Sequence, residues 1–79
     1  MNTIGYNVRE LRILNGWTQE QLVAKCNLLE WSISRGTLAK IESKKRKVSD
    51  YEVLFFAKAL NTEINNLYDL TLLISMQNP

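Results

Sequence analysis

Proline occurs only once in this sequence, as the last residue, and glycine occurs at only three positions. Because these two residues are the ones that most weaken the interior of a helix, their scarcity favours a helical chain. A length of 79 residues is too short for two separate hydrophobic cores. We therefore expect one small helical domain.

Two amphipathic helices are predicted in the first third of the chain. Apolar residues recur at helical spacing over about residues 4–15, and Gly16 then ends the pattern. Thr18 and Gln21 have the spacing of a capping box, in which each side chain satisfies a backbone amide at the start of a helix. We therefore expect a second helix from this box to about Cys26.

A third helix is predicted at about residues 35–43, with Ser34 as its N-cap. Its two faces differ in chemistry. The inward face holds Leu38, Ile41 and Glu42, and the outward face holds Gly36, Ala39, Lys40 and Ser43. A face of small and basic residues suits a helix that enters the DNA major groove, and a plain surface helix is the alternative.

The second half of the chain predicts two further helices. Ser49 and Glu52 form another capping box, followed by a buried stripe that leaves Phe55 on the opposite side. The stripe consists of Val53, Phe56, Ala57 and Leu60. Asn61 is placed to end this helix in a left-handed conformation, and a short fifth helix around Leu67 follows.

The predicted domain covers residues 1–69, and residues 70–79 form an apolar tail. The tail is rich in leucine and isoleucine and shows no clear polar face. It either extends the last helix and packs on the domain, or it covers the surface of a partner. Periodicity does not decide between these two arrangements.

The formal net charge of +2 conceals a strong local concentration of positive charge. Residues 35–47 contain six basic residues and one acidic residue, a sum of +5, whereas residues 1–34 sum to zero and residues 48–79 to −3. A local positive field of this kind attracts polyanions such as nucleic acid. The alternative is a solvated run of charges without a partner.

Several classes of protein are disfavoured by what the sequence lacks. It has no histidine and one cysteine, Cys26, so the usual zinc ligand sets and an internal disulfide are both excluded, and we expect a buried thiol. No carboxylate pair or phosphate-binding glycine loop indicates an enzyme. Since the chain also lacks a membrane-spanning run and a signal peptide, we expect a cytoplasmic protein without cofactor or metal.

Four short motifs occur in a characteristic order. They are V-R-E-L-R at residues 8–12, W-T-Q-E-Q-L at residues 17–22, S-R-G-T-L-A-K-I-E at residues 34–42 and F-A-K-A-L at residues 56–60. Together they resemble the phage-repressor-like (Cro/C1-type, XRE) helix-turn-helix family of transcriptional regulators. The resemblance implies an all-α, compact five-helix lambda-repressor-like domain, in which the third helix is the recognition helix.

The resemblance also implies distinct roles for residues of the site. Arg35, Gly36 and Lys40 would contact bases, and Arg35 would contribute most to specificity because its planar guanidinium can donate to both O6 and N7 of guanine. Sugar-phosphate contacts would come from Thr18, Gln19, Ser34, Thr37, Ser43, Lys44, Lys45, Arg46 and Lys47. Arg12 and Glu42 would form a structural ion pair between the first and third helices.

Three features of the sequence, one segment and two single residues, depart from the pattern of the family. The connection over residues 27–33 is longer than the usual turn, and Val23 replaces a small residue. Lys44 stands where glycine usually follows the third helix. Because a left-handed backbone would cost Lys44 about 1–2 kcal/mol, we expect a rearranged helix end at this position.

The function implied by the resemblance is sequence-specific binding of double-stranded DNA as a transcriptional regulator, in particular a repressor. One such domain covers a half-site, so a homodimer is expected. Candidate dimer contacts are Phe55, Leu70, Leu72, Leu73, Ile74 and Met76, with ordinary core packing as the alternative. A second hypothesis is a protein-interaction module, such as an antitoxin-like or regulator-binding subunit, that uses Phe55 and residues 70–76.

Overall fold

A computed structural model describes residues 4–70 of the chain, and over this range it contains five α-helices and no strand. The helices are α1 (Ile4–Leu14), α2 (Gln19–Leu28), α3 (Arg35–Glu42), α4 (Asp50–Ala59) and α5 (Ile64–Tyr68). Helix α1 packs on α3 and α5, α2 packs on α3 and α4, and α4 packs on α5. The five-helix, all-α fold predicted from the sequence is therefore confirmed.

All five helices contribute to one hydrophobic core. Each of them supplies a completely buried apolar side chain, and these are Val8, Leu22, Leu38, Phe56 and Leu67. The core holds α3 between α1 and α2, which leaves only one side of α3 open to solvent. The position of the predicted recognition helix is thus fixed by apolar packing on its inward face.

Four helix ends are closed by a residue with a left-handed backbone. These residues are Gly16, Glu30, Lys44 and Asn61, with φ angles of 73°, 63°, 66° and 52°. At each end, the amide of the next residue donates to the carbonyl oxygen five positions back, as in a Schellman motif. The left-handed terminator predicted at Asn61 is confirmed.

The rearranged helix end expected at Lys44 does not occur. With a φ of 66°, Lys44 keeps the left-handed conformation that normally belongs to glycine. Its amide donates to the carbonyl of Ile41 at 3.1 Å, and the amide of Lys45 donates to the carbonyl of Lys40 at 2.8 Å. The expectation was wrong because these two backbone bonds offset the strain of about 1–2 kcal/mol.

The connection between α2 and α3 is fixed by aromatic contacts. Helix α2 continues two residues beyond its predicted end at Cys26, so the connection covers residues 29–34. Within it, the Trp31 ring stacks on Phe55 with centroids 5.3 Å apart and meets the edge of Phe56 at 4.8 Å. Phe55, which faces away from the buried stripe of α4, is consequently half-buried under Trp31.

Helix α1 is held from two sides. Its Asn7 side chain is buried and donates to the carbonyl oxygen of Leu67 in α5 at 2.7 Å. Gly5 lies directly against the backbone of Ile41 in α3. These two contacts hold α1 against α3 and α5.

The predicted tail lies almost wholly outside the described residues. Its first residue, Leu70, is 5% exposed and belongs to the hydrophobic core of this chain, so it is not available to a partner. The other candidate contacts of the tail, which are Leu72, Leu73, Ile74 and Met76, lie outside the described range. Among residues 4–70, no helix has the length and apolar character that crossing a membrane requires.

Candidate nucleic-acid interface

The outward face of α3 presents the three residues predicted to contact bases. Arg35, Gly36 and Lys40 are all exposed, and 65% of the Arg35 side chain is accessible to solvent. On the opposite side, Leu38 and Ile41 are completely buried. The helix therefore turns a polar, basic face without bulky apolar side chains toward solvent, and this shape fits a DNA major groove.

The positive charge of residues 35–47 lies on the surface of the protein. Its exposed lysines are Lys40, Lys44, Lys45 and Lys47. Glu42, the one acidic residue of the segment, is buried and paired. Glu42 is neutralised by Arg12, and Arg46 is paired with Glu52, so the exposed positive charge around α3 comes mainly from these four lysines and Arg35.

The carboxylate of Glu42 is the centre of a buried hydrogen-bond group. Arg12 Nε and Nη2 donate to its two oxygen atoms at 2.8 and 2.9 Å, as the family resemblance implies. Arg12 Nη1 donates to the carbonyl oxygen of Trp17 at 2.7 Å. Gln19, predicted to contact phosphate, donates its side-chain amide to Glu42 Oε1 at 3.1 Å. This group joins α1, the start of α2 and the end of α3.

Arg46 is bound to Glu52 in the structure. Its Nη1 and Nη2 atoms donate to the two carboxylate oxygens at 3.0 and 2.9 Å. The backbone amide of Ser49 also donates to Glu52, at 3.0 Å. Burial disfavours the charged carboxylate, but these hydrogen bonds outweigh it and lower the pKa of Glu52. The phosphate contact predicted for Arg46 therefore competes with an ion pair at the start of α4.

The hydroxyl groups predicted to contact phosphate take part in helix capping. Thr18 Oγ1 accepts from the amide of Gln21, and Ser34 Oγ accepts from the amide of Thr37, both at 3.1 Å. Ser34 donates its own proton to Thr37 Oγ1 at 3.1 Å, and Ser43 donates to a carbonyl oxygen within α3. Thr18 and Ser34 thus lie at helix starts, where exposed backbone amides favour an anion, whereas Ser43 lies at the C-terminal end of α3.

Two side chains beside the predicted site were missed by the sequence reasoning. Glu20 of α2 accepts a hydrogen bond from Arg35 Nε at 3.2 Å. The ring of Tyr6, which is 45% exposed, lies 5.4 Å from the Nζ atom of Lys44. Neither contact joins residues at helical spacing, so no local pattern in the sequence could have indicated them.

The single cysteine is a core residue. Cys26 is completely buried, and burial raises the pKa of its thiol to about 11, so the thiol is uncharged near neutral pH. Within residues 4–70, no three histidine, cysteine or carboxylate side chains come together as ligands for a metal ion. Cys26 thus contributes to packing, as the sequence predicted.

Comparison with known protein families gives a match over most of the chain. A protein-family model described as helix-turn-helix matches residues 8–67, which include both ends of the Arg12 to Glu42 ion pair and all of α3. No curated protein and no solved structure gives a significant match to the chain. On the family match, the chain belongs to the Cro/C1-type (XRE) helix-turn-helix family of DNA-binding regulators.

Proposed function

We propose that the protein binds specific sites on double-stranded DNA by placing α3 in the major groove, and that it represses transcription by occupying those sites. The observation that carries this proposal is the outward face of α3. Arg35 and Lys40 project from it, while Gly36 keeps the backbone accessible for close approach. A face of this kind combines donors for base edges with the small profile that a groove demands.

Two groups of residues make different contributions to DNA binding. Arg35 and Lys40 read base edges, with Arg35 the more selective because of its planar pair of donors. The exposed Lys44, Lys45 and Lys47 neutralise phosphates and supply affinity for DNA of any sequence. The hydroxyl and amide side chains at the helix starts add contacts to the backbone of the DNA. Arg46 serves mainly to order the segment through its ion pair.

A salt titration tests this division. Replacing Lys45 and Lys47 together by alanine should weaken binding to every sequence and reduce the slope of log K against log salt by about 1 to 2. Arg35→Ala should instead reduce the preference for the specific site by a factor of about 5 to 150. Lys58 is an exposed lysine of α4, and Lys58→Ala is the control for the loss of a positive charge outside the proposed interface.

Three results of these titrations would contradict parts of the proposal. An unchanged salt slope in the double lysine variant would remove these lysines from the phosphate contacts. An unchanged site preference in Arg35→Ala would remove Arg35 from base recognition. A wild-type protein that holds specific and bulk DNA equally would contradict sequence-specific binding altogether.

A homodimer is proposed because two half-sites about one helical turn apart give useful specificity. The exposed apolar side chains nearest to Phe55 on α4 are Tyr51 and Leu54, which are 59% and 49% exposed. Light scattering on the full chain and on a chain that ends after Leu70 measures the contribution of the tail. An equal mass for both would exclude residues 71–79 from the dimer contact.

A further inference from the structure

One carboxylate belongs to the surface that we propose faces DNA. Glu20 occupies the first turn of α2, and its Oε1 atom accepts a hydrogen bond from Arg35 Nε at 3.2 Å. Both side chains are largely exposed, at 69% for Glu20 and 65% for Arg35. A negative charge at this place repels phosphate, so general affinity for DNA does not explain it.

The geometry of the pair leaves part of the guanidinium open. Arginine carries five N–H donors, and the bond from Nε to Glu20 uses one of them. The donors on Nη1 and Nη2 of Arg35 remain, and two such parallel donors match the O6 and N7 acceptors of guanine. Glu20 therefore engages the edge of the guanidinium that a base contact through the two terminal nitrogens does not need.

We propose that Glu20 is a positioning residue that orients Arg35 for guanine, so that it raises sequence selectivity at the expense of overall DNA affinity. The proposal rests on the proposed function, since it requires α3 to read base edges. A long side chain that is ordered before binding loses less entropy when it reaches its target. The ion pair is weak while exposed to water, and it strengthens when DNA excludes water from the groove.

The test compares variants of Glu20 on two DNA sites. Selection of bound fragments first gives the preferred site, and the base pair read by Arg35 is the one whose preference Arg35→Ala abolishes. The preference is the ratio of Kd values for the site with A·T and with G·C at that position. Glu20→Ala should reduce this ratio about threefold to tenfold, while affinity for bulk DNA stays equal or rises.

Two further variants make the comparison specific. Glu20→Gln keeps an oxygen that accepts from Nε without the charge, so it should retain an intermediate ratio. Glu30→Gln removes the same charge from an exposed residue just beyond the C-terminal end of α2 and should leave the ratio unchanged. Equal melting temperatures of wild type and Glu20→Ala would show that the fold is intact.

Variants that already lack Arg35 distinguish positioning of Arg35 by Glu20 from a direct contact between Glu20 and a base. In Arg35→Ala, the further change Glu20→Ala should have no effect on preference at any position. A preference that Glu20→Ala still removes there would show that Glu20 itself contacts a base, and this would overturn the proposal. An unchanged ratio for Glu20→Ala alone, with equally higher affinity for both sites, would overturn it as well. Wild-type protein without any site preference would instead refute the proposed function, together with this inference.

Discussion

Gly5 of α1 lies so close to Ile41 of α3 that a Cβ atom at residue 5 would overlap the carbonyl oxygen of Ile41. The absence of a side chain at Gly5 thus sets the distance between α1 and α3. Half a turn further along α1, the Asn7 side chain donates to the carbonyl oxygen of Leu67 in α5. Gly5 therefore determines how closely α1 packs against α3.

Gly5→Ala should lower the free energy of unfolding by about 1–3 kcal/mol, because α1 must move away from a backbone atom that cannot yield. Urea denaturation followed by circular dichroism measures the change. Gly36→Ala is the matched control, since the nearest atom to its added Cβ is 3.9 Å away. That variant should be as stable as wild type or more stable, but it should bind its DNA site more weakly. Equal stability of wild type and Gly5→Ala would refute the close approach.

The buried pair of Arg12 and Glu42 predicts a large loss of stability when one partner is removed. Their side chains are only 12% and 3% exposed, and the hydrogen bond to Glu42 raises the pKa of Arg12. Glu42→Ala should cost about 3–5 kcal/mol, because it leaves a buried guanidinium without its partner. The more exposed pair of Arg9 and Glu10 provides the control, and Arg9→Ala should cost less than about 1 kcal/mol. Similar losses in both variants would contradict this account.

We expect that substitution of Glu30 by glycine stabilises the protein. Its φ of 63° is left-handed, and its exposed side chain has no hydrogen bond among the described residues. Glu30→Gly should raise the free energy of unfolding by about 0.5–1 kcal/mol, because the relief of strain exceeds the entropic penalty of glycine. Gly16→Ala should have the opposite sign, since Gly16 is also left-handed and its surroundings are open. Thermal melts of the two variants check both signs, and a destabilised Glu30→Gly would contradict the prediction.

The pair of Arg46 and Glu52 predicts a loss of stability in acid. The pKa of Glu52 is lowered from about 4.5 in the folded protein, so its contribution is fully present above that pH and disappears as the pH falls through the folded value. Urea midpoints should therefore decrease below about pH 4.5. In Arg46→Met the decrease attributable to Glu52 should be smaller, because only the bonds from Ser49 still favour the charged form. An identical pH profile for both proteins would refute this role of the ion pair.

Local signals in the sequence were sufficient for the helices and their faces. The capping pair of Thr18 and Gln21 forms as predicted, and Leu38, Ile41 and Glu42 lie on the inward side of α3. Such features depend on residues three or four positions apart, so that spacing alone determines them. This is why the orientation of the face of α3 could be predicted without coordinates.

Features that depend on tertiary packing could not be predicted in this way. The partner of Arg35 is 15 residues away on another helix, and the backbone that Gly5 approaches belongs to α3. At Lys44, the backbone hydrogen bonds of the helix end decide the conformation, and they outweigh the intrinsic penalty for a left-handed lysine. For Arg46 the resemblance implies a phosphate contact, and the structure gives it a carboxylate partner on α4. In each case the missing information was the neighbour in space.

The central claim is that α3 reads the sequence of DNA, and selection of bound fragments from random DNA tests it most directly. The selection should be carried out in parallel with wild-type protein and Arg35→Ala, at one fixed salt concentration and with bulk DNA as competitor. The account predicts one enriched motif for the wild type, with a guanine whose preference is lost in Arg35→Ala. Fragments without a common motif, or the same motif from both proteins, would contradict it.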